Sequence, residues 1–243
     1  MQLIKLDATD STNDHLKSLV LSAGMADFTV VAAEQQLKGK GQMGAIWQSE
    51  PGKNLTFSVL KNNLDLPISD GFLLNIAVAT AIYKSLKGLH VPDLSIKWPN
   101  DILSGNSKIC GILIENILSG NQINTSVIGI GLNVNQLDFD LLQNVASLKL
   151  LLGRTFNLEE ILTQIVKNLE KVFYDLNKAG PNSLRQSYES VLFRKDKPST
   201  FEDRNEQLFM GFIRGVSEEG KLIVALEDNI IKEFDLKEVK LLY

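Results

Sequence analysis

KICGILIENILSGNQINTSVIGIGLNVN, residues 108–135, carries two apolar, β-rich runs split by Ser119-Gly120-Asn121-Gln122. Runs of that composition bounded by turn residues read as strands, so the stretch is a strand pair closed by a short turn, with Ile109–Ile117 in its first member. Working outward, Leu94–Trp98 and Asn54–Leu60 have the same character. Between them Phe72, Leu73, Ile76, Ala77, Thr80 and Ala81 recur at helical spacing up to Gly88, which predicts a buried helix. The middle of the chain therefore reads as mixed sheet with helices packed on it, an α+β fold.

Nearer the N-terminus, Leu3–Asp7 reads as a short strand and Phe28–Ala33 as another. Ser11 is the N-cap expected for a helix that carries Leu16, Leu19 and Val20 on one face before Gly24. In the second half, Ile161, Ile165, Leu169, Val172 and Phe173 mark an amphipathic helix from Leu158 to Leu176, closed by Gly180 and Pro181. A further helical stretch is expected at Leu184–Phe193. Beyond Arg194 the pattern changes to short alternating runs punctuated by Glu219-Gly220 and Asp228-Asn229. Two units are expected: a larger α+β domain at 1–193 and a small all-β module at 194–243.

Hydrophobic residues make up 44% of the 243 and charged residues 22%, which excludes a disordered tract and lets the chain bury a core. Cys110 is the single cysteine, so no intrachain disulfide is expected and a reducing cytoplasm fits best. Met1 leads into Gln2-Leu3-Ile4 with no basic stretch before an apolar run, and no run reaches the roughly 18 apolar residues of a spanning helix. Neither export nor membrane insertion is expected. A formal net charge of −4, with lysines and arginines dispersed, argues against non-specific nucleic-acid binding.

Three segments are able to carry chemistry. LKGKGQMGAIW, residues 37–47, holds glycines at 39, 41 and 44, where missing side chains let backbone N–H groups approach an anion, with Lys38 and Lys40 adding charge. The same composition suits a plain surface loop. Its G-x-G-x-x-G spacing is followed by strand character and not by a helix, which sets aside a dinucleotide fingerprint. Trp47, just beyond, fits either a core or a stacking face for a purine. Lys97-Trp98-Pro99-Asn100-Asp101 ends a strand in a sharp turn, where Asn100 and Asp101 serve as turn formers or as ligand groups. Lys108 opens an apolar strand, as an edge residue with its ammonium at the surface or as a bridge between two anions. His15 and His90 lack metal-ligand spacing.

Together, Ser11-Thr12-Asn13, AEQQLKGKGQMGAIWQSEPGKNL at 33–55, KWPNDI at 97–102, KICGILIE at 108–115 and GIGLNVN at 129–135 resemble the biotin–protein ligases in identity, order and spacing. The resemblance covers about residues 1–190, and the β-rich module after Arg194 looks like that family's SH3-like C-terminal domain. It implies a class II synthetase-like catalytic domain of the biotin–lipoate ligase type, with a small β-barrel after it. It further implies that Ser11, Thr12, Asn13 and Gln36 hold biotin, that the loop residues Gly39, Lys40, Gly41 and Gln42 cover biotin and the α-phosphate, and that Gly111 lies beside biotin. Lys40, Trp47, Lys97, Asn100 and Asn133 fall on the ATP side. Lys108 touches both the biotin carboxylate and the phosphate, and Asp101 orients or deprotonates the acceptor lysine.

The activity implied is adenylation of biotin by ATP with Mg2+, without a dedicated protein site for the metal, then transfer to a lysine of a biotin carboxyl carrier protein. The resemblance gives no DNA or membrane partner, and a monomer or homodimer. Ser-Thr-Asn starts at residue 11, so a preceding DNA-binding domain is not expected. The family loop commonly reads G-R-G-R, whereas this chain has Gly39-Lys40-Gly41-Gln42, and Ala45 stands where Arg is frequent. Lysine lacks the bidentate fork of arginine and glutamine lacks its charge. A lipoate–protein ligase shares the fold and the adenylation chemistry, and a non-catalytic nucleotide- or protein-binding module is the reading from another class.

Overall fold

A computed structural model describes residues 1–139, 142–227 and 230–243; the turn expected at Asp228-Asn229 lies outside the described residues. The chain opens with β1 (Gln2–Thr9), α1 (Thr12–Ala23) and β2 (Thr29–Gln36), then, past the glycine loop, β3 (Leu55–Lys61), the two-residue β4 (Leu66–Pro67) and α2 (Phe72–Gly88). It continues through β5 (Leu94–Lys97), β6 (Asp101–Ser104), β7 (Ser107–Ser119) and β8 (Gln122–Leu132) to α3 (Leu148–Leu152), α4 (Leu158–Ala179) and α5 (Pro181–Glu189). The strands form one sheet in the order β1-β2-β3-β8-β7-β6-β5, with β4 appended to β8. β1 and β2 run parallel; the other neighbours are antiparallel. The α+β architecture read from the sequence is the one observed.

Alternation along the strands separates two faces. Leu55, Phe57 and Val59 of β3, Ile112 of β7, and Ile128, Ile130 and Leu132 of β8 pack into one core with α2 and α4. α2 is buried on most of its circumference because it meets α4, α5 and the β5–β7 edge together, whereas α4 keeps the single stripe Ile161, Ile165, Leu169, Val172, Phe173. On the opposite face α1 covers part of the sheet, with Leu16 against Val31, Leu60 and Val127. The rest of that face, between α1 and β6, is where small and polar side chains gather.

A β-bulge re-aims one lysine. Ile102 of β6 pairs with Cys110 but Leu103 pairs with Lys108, so Ile109 is an extra residue in β7. Ile109 and Cys110 both go to the helix side, fully buried. Strict alternation would send Lys108 to that side as well; the bulge turns it to the open face, on the side of Gly111.

Residues 198–242 form a second, antiparallel sheet ordered β12-β11-β10-β9-β13, from β9 (Pro198–Asp203), β10 (Leu208–Val216), β11 (Leu222–Ala225), β12 (Ile231–Phe234) and β13 (Val239–Leu242). Its core residues Phe201, Ile213, Leu222 and Val224 join the main core. Arg185 donates to the carbonyls of Ser217 and Glu218 at 3.1 and 2.9 Å, and Trp98 Nε1 donates to that of Gly220 at 2.8 Å. The Ser217–Gly220 turn is thereby held to α5 and to the β5–β6 turn.

The Tyr188 hydroxyl is fully buried with no hydrogen-bond partner among the described residues, and burial pushes its pKa well up. An unpartnered buried hydroxyl costs about 1–3 kcal/mol, so Tyr188→Phe is expected to stabilise the fold by about 1 kcal/mol. Urea unfolding tests this; an unchanged or lower midpoint contradicts it.

Candidate active site

The open face of the sheet holds a cavity of about 250 Å³ between α1, the glycine loop and strands β6, β7 and β8. Its floor is made of glycines. Gly129 and Gly131 of β8 and Gly111 of β7 line it, with Gly111 and Gly131 paired across the two strands. Alternate residues of β8 thus fill the core on one side and leave room on the other. A Cβ on Gly131 would stand 2.3 Å from Trp47 Cε2, and one on Gly129 would stand 2.6 Å from Asn13 Oδ1. The indole and the amide occupy the space that the two side chains vacate.

One end of the cavity is polar. Ser11 caps α1, its hydroxyl accepting from the Asp14 N–H at 3.4 Å, which brings Thr12 and Asn13 to the first turn facing β3 and β8. Gln36 Oε1 accepts from the Thr12 N–H at 2.8 Å and from its hydroxyl at 3.0 Å. The Gln36 carbonyl is therefore occupied, leaving its NH2 as donor. Asn13 Oδ1 accepts from Ser58 Oγ at 2.5 Å, while its Nδ2 donates to Glu115 at 2.6 Å. The end thus presents an oriented donor and an oriented acceptor.

The other end is charged and aromatic. Lys108 Nζ lies 2.7 Å from Asp101 Oδ1 and 5.8 Å from the centre of the Trp47 ring. The carboxylate and ammonium form an ion pair, with Asp101 Oδ1 buried against Lys108. The Lys108 and Asp101 side chains are 34% and 19% exposed, so the pair is screened less than a surface one and still opens to the cavity. Asn100 fixes the turn that carries Asp101, donating from Nδ2 to the Ile112 carbonyl at 2.6 Å and accepting the Ile112 N–H at 3.0 Å.

The glycine loop folds back on itself. Gly41 N–H donates to Ala45 O at 2.7 Å and Trp47 N–H to Gly39 O at 3.0 Å, with a short 3-10 turn at Gln42–Gly44. A Cβ on Gly39 would meet Trp47 O at 2.3 Å, so this close pass requires glycine. Lys40, Gly41 and Gln42 face the cavity. The two loop lysines are engaged: Lys38 with Asp10 at 2.7 Å and Lys40 with Asp14 at 2.6 Å, and these hydrogen bonds raise both ammonium pKa values.

Of the residues singled out from the sequence, Ser11, Thr12, Asn13 and Gln36 lie at the polar end, and Trp47, Asn100, Asp101, Lys108 and Gly111 lie at the other end or on its floor. Three lie off the wall. Gly39 shapes the loop from behind. Lys97 points to the second sheet, its Nζ bonded to the Tyr243 hydroxyl at 3.1 Å. Asn133 is buried, its Nδ2 donating to the Ala146 carbonyl at 3.1 Å and its N–H to the Ile109 carbonyl at 2.9 Å. Sequence reading passed over Ser58, Glu115, Gly129 and Gly131, which the strand register brings to this face. The signal for the glycines was present in Gly129-Ile130-Gly131-Leu132, where small and large residues alternate with the period of a strand.

Residues 6–133 match the model of the Biotin/lipoate A/B protein ligase family. The chain belongs to that family. It is thus a ligase, and its relatives among the biotin/lipoate ligases follow the whole chain beyond the matched segment. The bifunctional ligase/repressor BirA of Bacillus spizizenii is 29% identical over 234 residues, 95% of this chain and 71% of that protein. The biotin–[acetyl-CoA-carboxylase] ligase of Mycobacterium tuberculosis is 28% identical, covering 91% of this chain and 82% of its own. The biotin protein ligase of Aquifex aeolicus, solved in complex with biotin and ATP, superposes with a TM-score of 0.80 at 25% identity, over 99% of this chain and 98% of that one. No helix among the described residues is long and apolar enough to cross a membrane.

Proposed function

We propose that this ligase is a biotin–protein ligase: it activates biotin with ATP to biotinyl-5′-AMP and transfers biotin to a lysine of a carboxyl carrier protein. The observation that carries the reading is a single cavity with an oriented donor and acceptor at one end and the Lys108–Asp101 pair beside Trp47 at the other. A ureido ring, with N–H donors and a carbonyl acceptor, suits Asn13 Oδ1 and Gln36 Nε2. The carboxylate at the other end of biotin would then lie towards Lys108.

In the first half-reaction the biotin carboxylate attacks the ATP α-phosphorus and pyrophosphate leaves. Two anions have to meet, and the Lys108 ammonium offsets their repulsion most where charge concentrates in the transition state. Trp47, laid flat on Gly131, offers a face for the adenine. In the second half-reaction an acceptor amine attacks the mixed anhydride, an amide forms and AMP leaves. Asp101, held beside the Lys108 ammonium, is the carboxylate placed to orient that amine. Among the described residues Asp101 is the sole carboxylate on the wall, and no cluster of acidic, His or Cys side chains is fit for a metal. These residues form no cage for a resident magnesium ion; such an ion arrives on the nucleotide phosphates.

Transfer of labelled biotin to a carrier domain, dependent on ATP, tests the function. Exchange of pyrophosphate supported by lipoate and not by biotin overturns it. Asp101→Asn keeps the shape and removes the charge, so single-turnover transfer from preformed adenylate is expected to slow about tenfold. Transfer at the wild-type rate removes Asp101 from the second step.

A further inference from the structure

Asn13 is 3% exposed and its side-chain amide is read from both ends. Nδ2 donates to Glu115 Oε2 at 2.6 Å and to the Leu113 carbonyl at 3.3 Å, while Oδ1 sits over Gly129 and accepts from Ser58. An amide can turn over with almost no change of shape, exchanging donor for acceptor. A carboxylate cannot donate, so Glu115 admits only the NH2 end. Glu115 is itself fixed by Lys17, which binds the other oxygen, Oε1. Lys17 also lies 3.9 Å from Asp14, the partner of Lys40 in the glycine loop.

We infer that Glu115 is a positioning residue that sets the polarity of the cavity's polar end, holding the Asn13 carbonyl oxygen towards a ligand N–H. The inference rests on the proposed function, in which that N–H belongs to the ureido ring. Glu115 touches no ligand; it acts through Asn13. As an ion pair with Lys17 alone, Glu115 would contribute to stability and not to discrimination between ligands.

The test compares Glu115→Gln with the wild-type protein in calorimetric binding of biotin and of a biotin analogue methylated on the ureido nitrogens. The substituted amide offers a donor as well as an acceptor, so only the Leu113 carbonyl, at 3.3 Å, still favours the NH2 end and the sense of the Asn13 side chain is held less firmly. Biotin affinity is expected to fall about tenfold, the analogue's to change less than about twofold, and the ATP dissociation constant to stay unchanged. In an Asn13→Ala background the Glu115→Gln change is expected to leave the biotin-to-analogue ratio where Asn13→Ala put it. Equal losses for both ligands, an unchanged ratio, or additivity in the double variant overturns the inference alone. Failure of the wild-type protein to bind biotin overturns the proposed function and the inference with it.

Discussion

Biotin-dependent exchange of pyrophosphate into ATP is expected to fall by about 10²–10³-fold in Lys108→Ala, while the dissociation constant for ATP rises by less than about tenfold. The asymmetry follows from where the ammonium sits. Lys108 lies at the end of the cavity remote from the Asn13–Gln36 pair, against Asp101 at 2.7 Å and over the Trp47 ring. On the proposed function, bound ATP gains one charge contact from it. The transition state, in which a carboxylate oxygen closes on the α-phosphate, gains more because charge from two anions is then concentrated beside one cation. Lys108→Arg separates charge from geometry: the bulge at Ile109 places a side chain of lysine's reach, and the planar fork is expected to recover less than about a tenth of the rate. Exchange at the wild-type rate in Lys108→Ala would dismiss the charge bridge.

The sequence made the strands, the long helices and the α1 cap legible because each is a local pattern. Ser11 before an apolar stripe predicts a cap, and Ser11 caps α1; Ile161, Ile165, Leu169, Val172 and Phe173 predict one buried face, and all five are buried. The short elements were not legible. β6 is four residues that follow directly on Asn100, and its pairing with β7 exists only in three dimensions. α5 begins at Pro181, where the sequence reading ended one helix and waited until Leu184 for the next; proline at N1 starts a helix as readily as it stops one.

The candidate site residues divide along the same line. Ser11, Thr12, Asn13, Gln36 and Lys108 were singled out by their motifs and line the cavity, but nothing local shows that Glu115 reaches Asn13 across 102 positions, nor that a bulge turns Lys108 to the open face. Lys97 lies in a motif and points away from the cavity, because strand alternation and the second sheet decide its direction. Motif membership locates a segment; register decides which of its side chains line the cavity.

Gly131 gives the sharpest separation of function from folding. Gly131→Ala is expected to reduce adenylate formation about a hundredfold while leaving stability equal or slightly higher. β8 is hydrogen-bonded on both sides, to β3 and β7, so its backbone has little freedom to retreat. The added Cβ would stand 2.3, 2.5 and 2.8 Å from three atoms of the Trp47 indole, all well inside contact distance. The indole must leave the glycine floor, and the face proposed for the adenine leaves with it. Alanine otherwise suits a strand better than glycine, by about 0.5–1 kcal/mol, which offsets lost packing. The protein has two tryptophans, Trp47 and Trp98, so in a Trp98→Phe background the emission reports Trp47 alone and is expected to shift to the red in Gly131→Ala. Adding Trp47→Ala should then cost little more, since the two changes remove the same stacking surface. If Gly131→Ala keeps both the wild-type emission and the wild-type exchange rate, Trp47 does not act from the position it holds on Gly131, and the adenine has to be bound elsewhere.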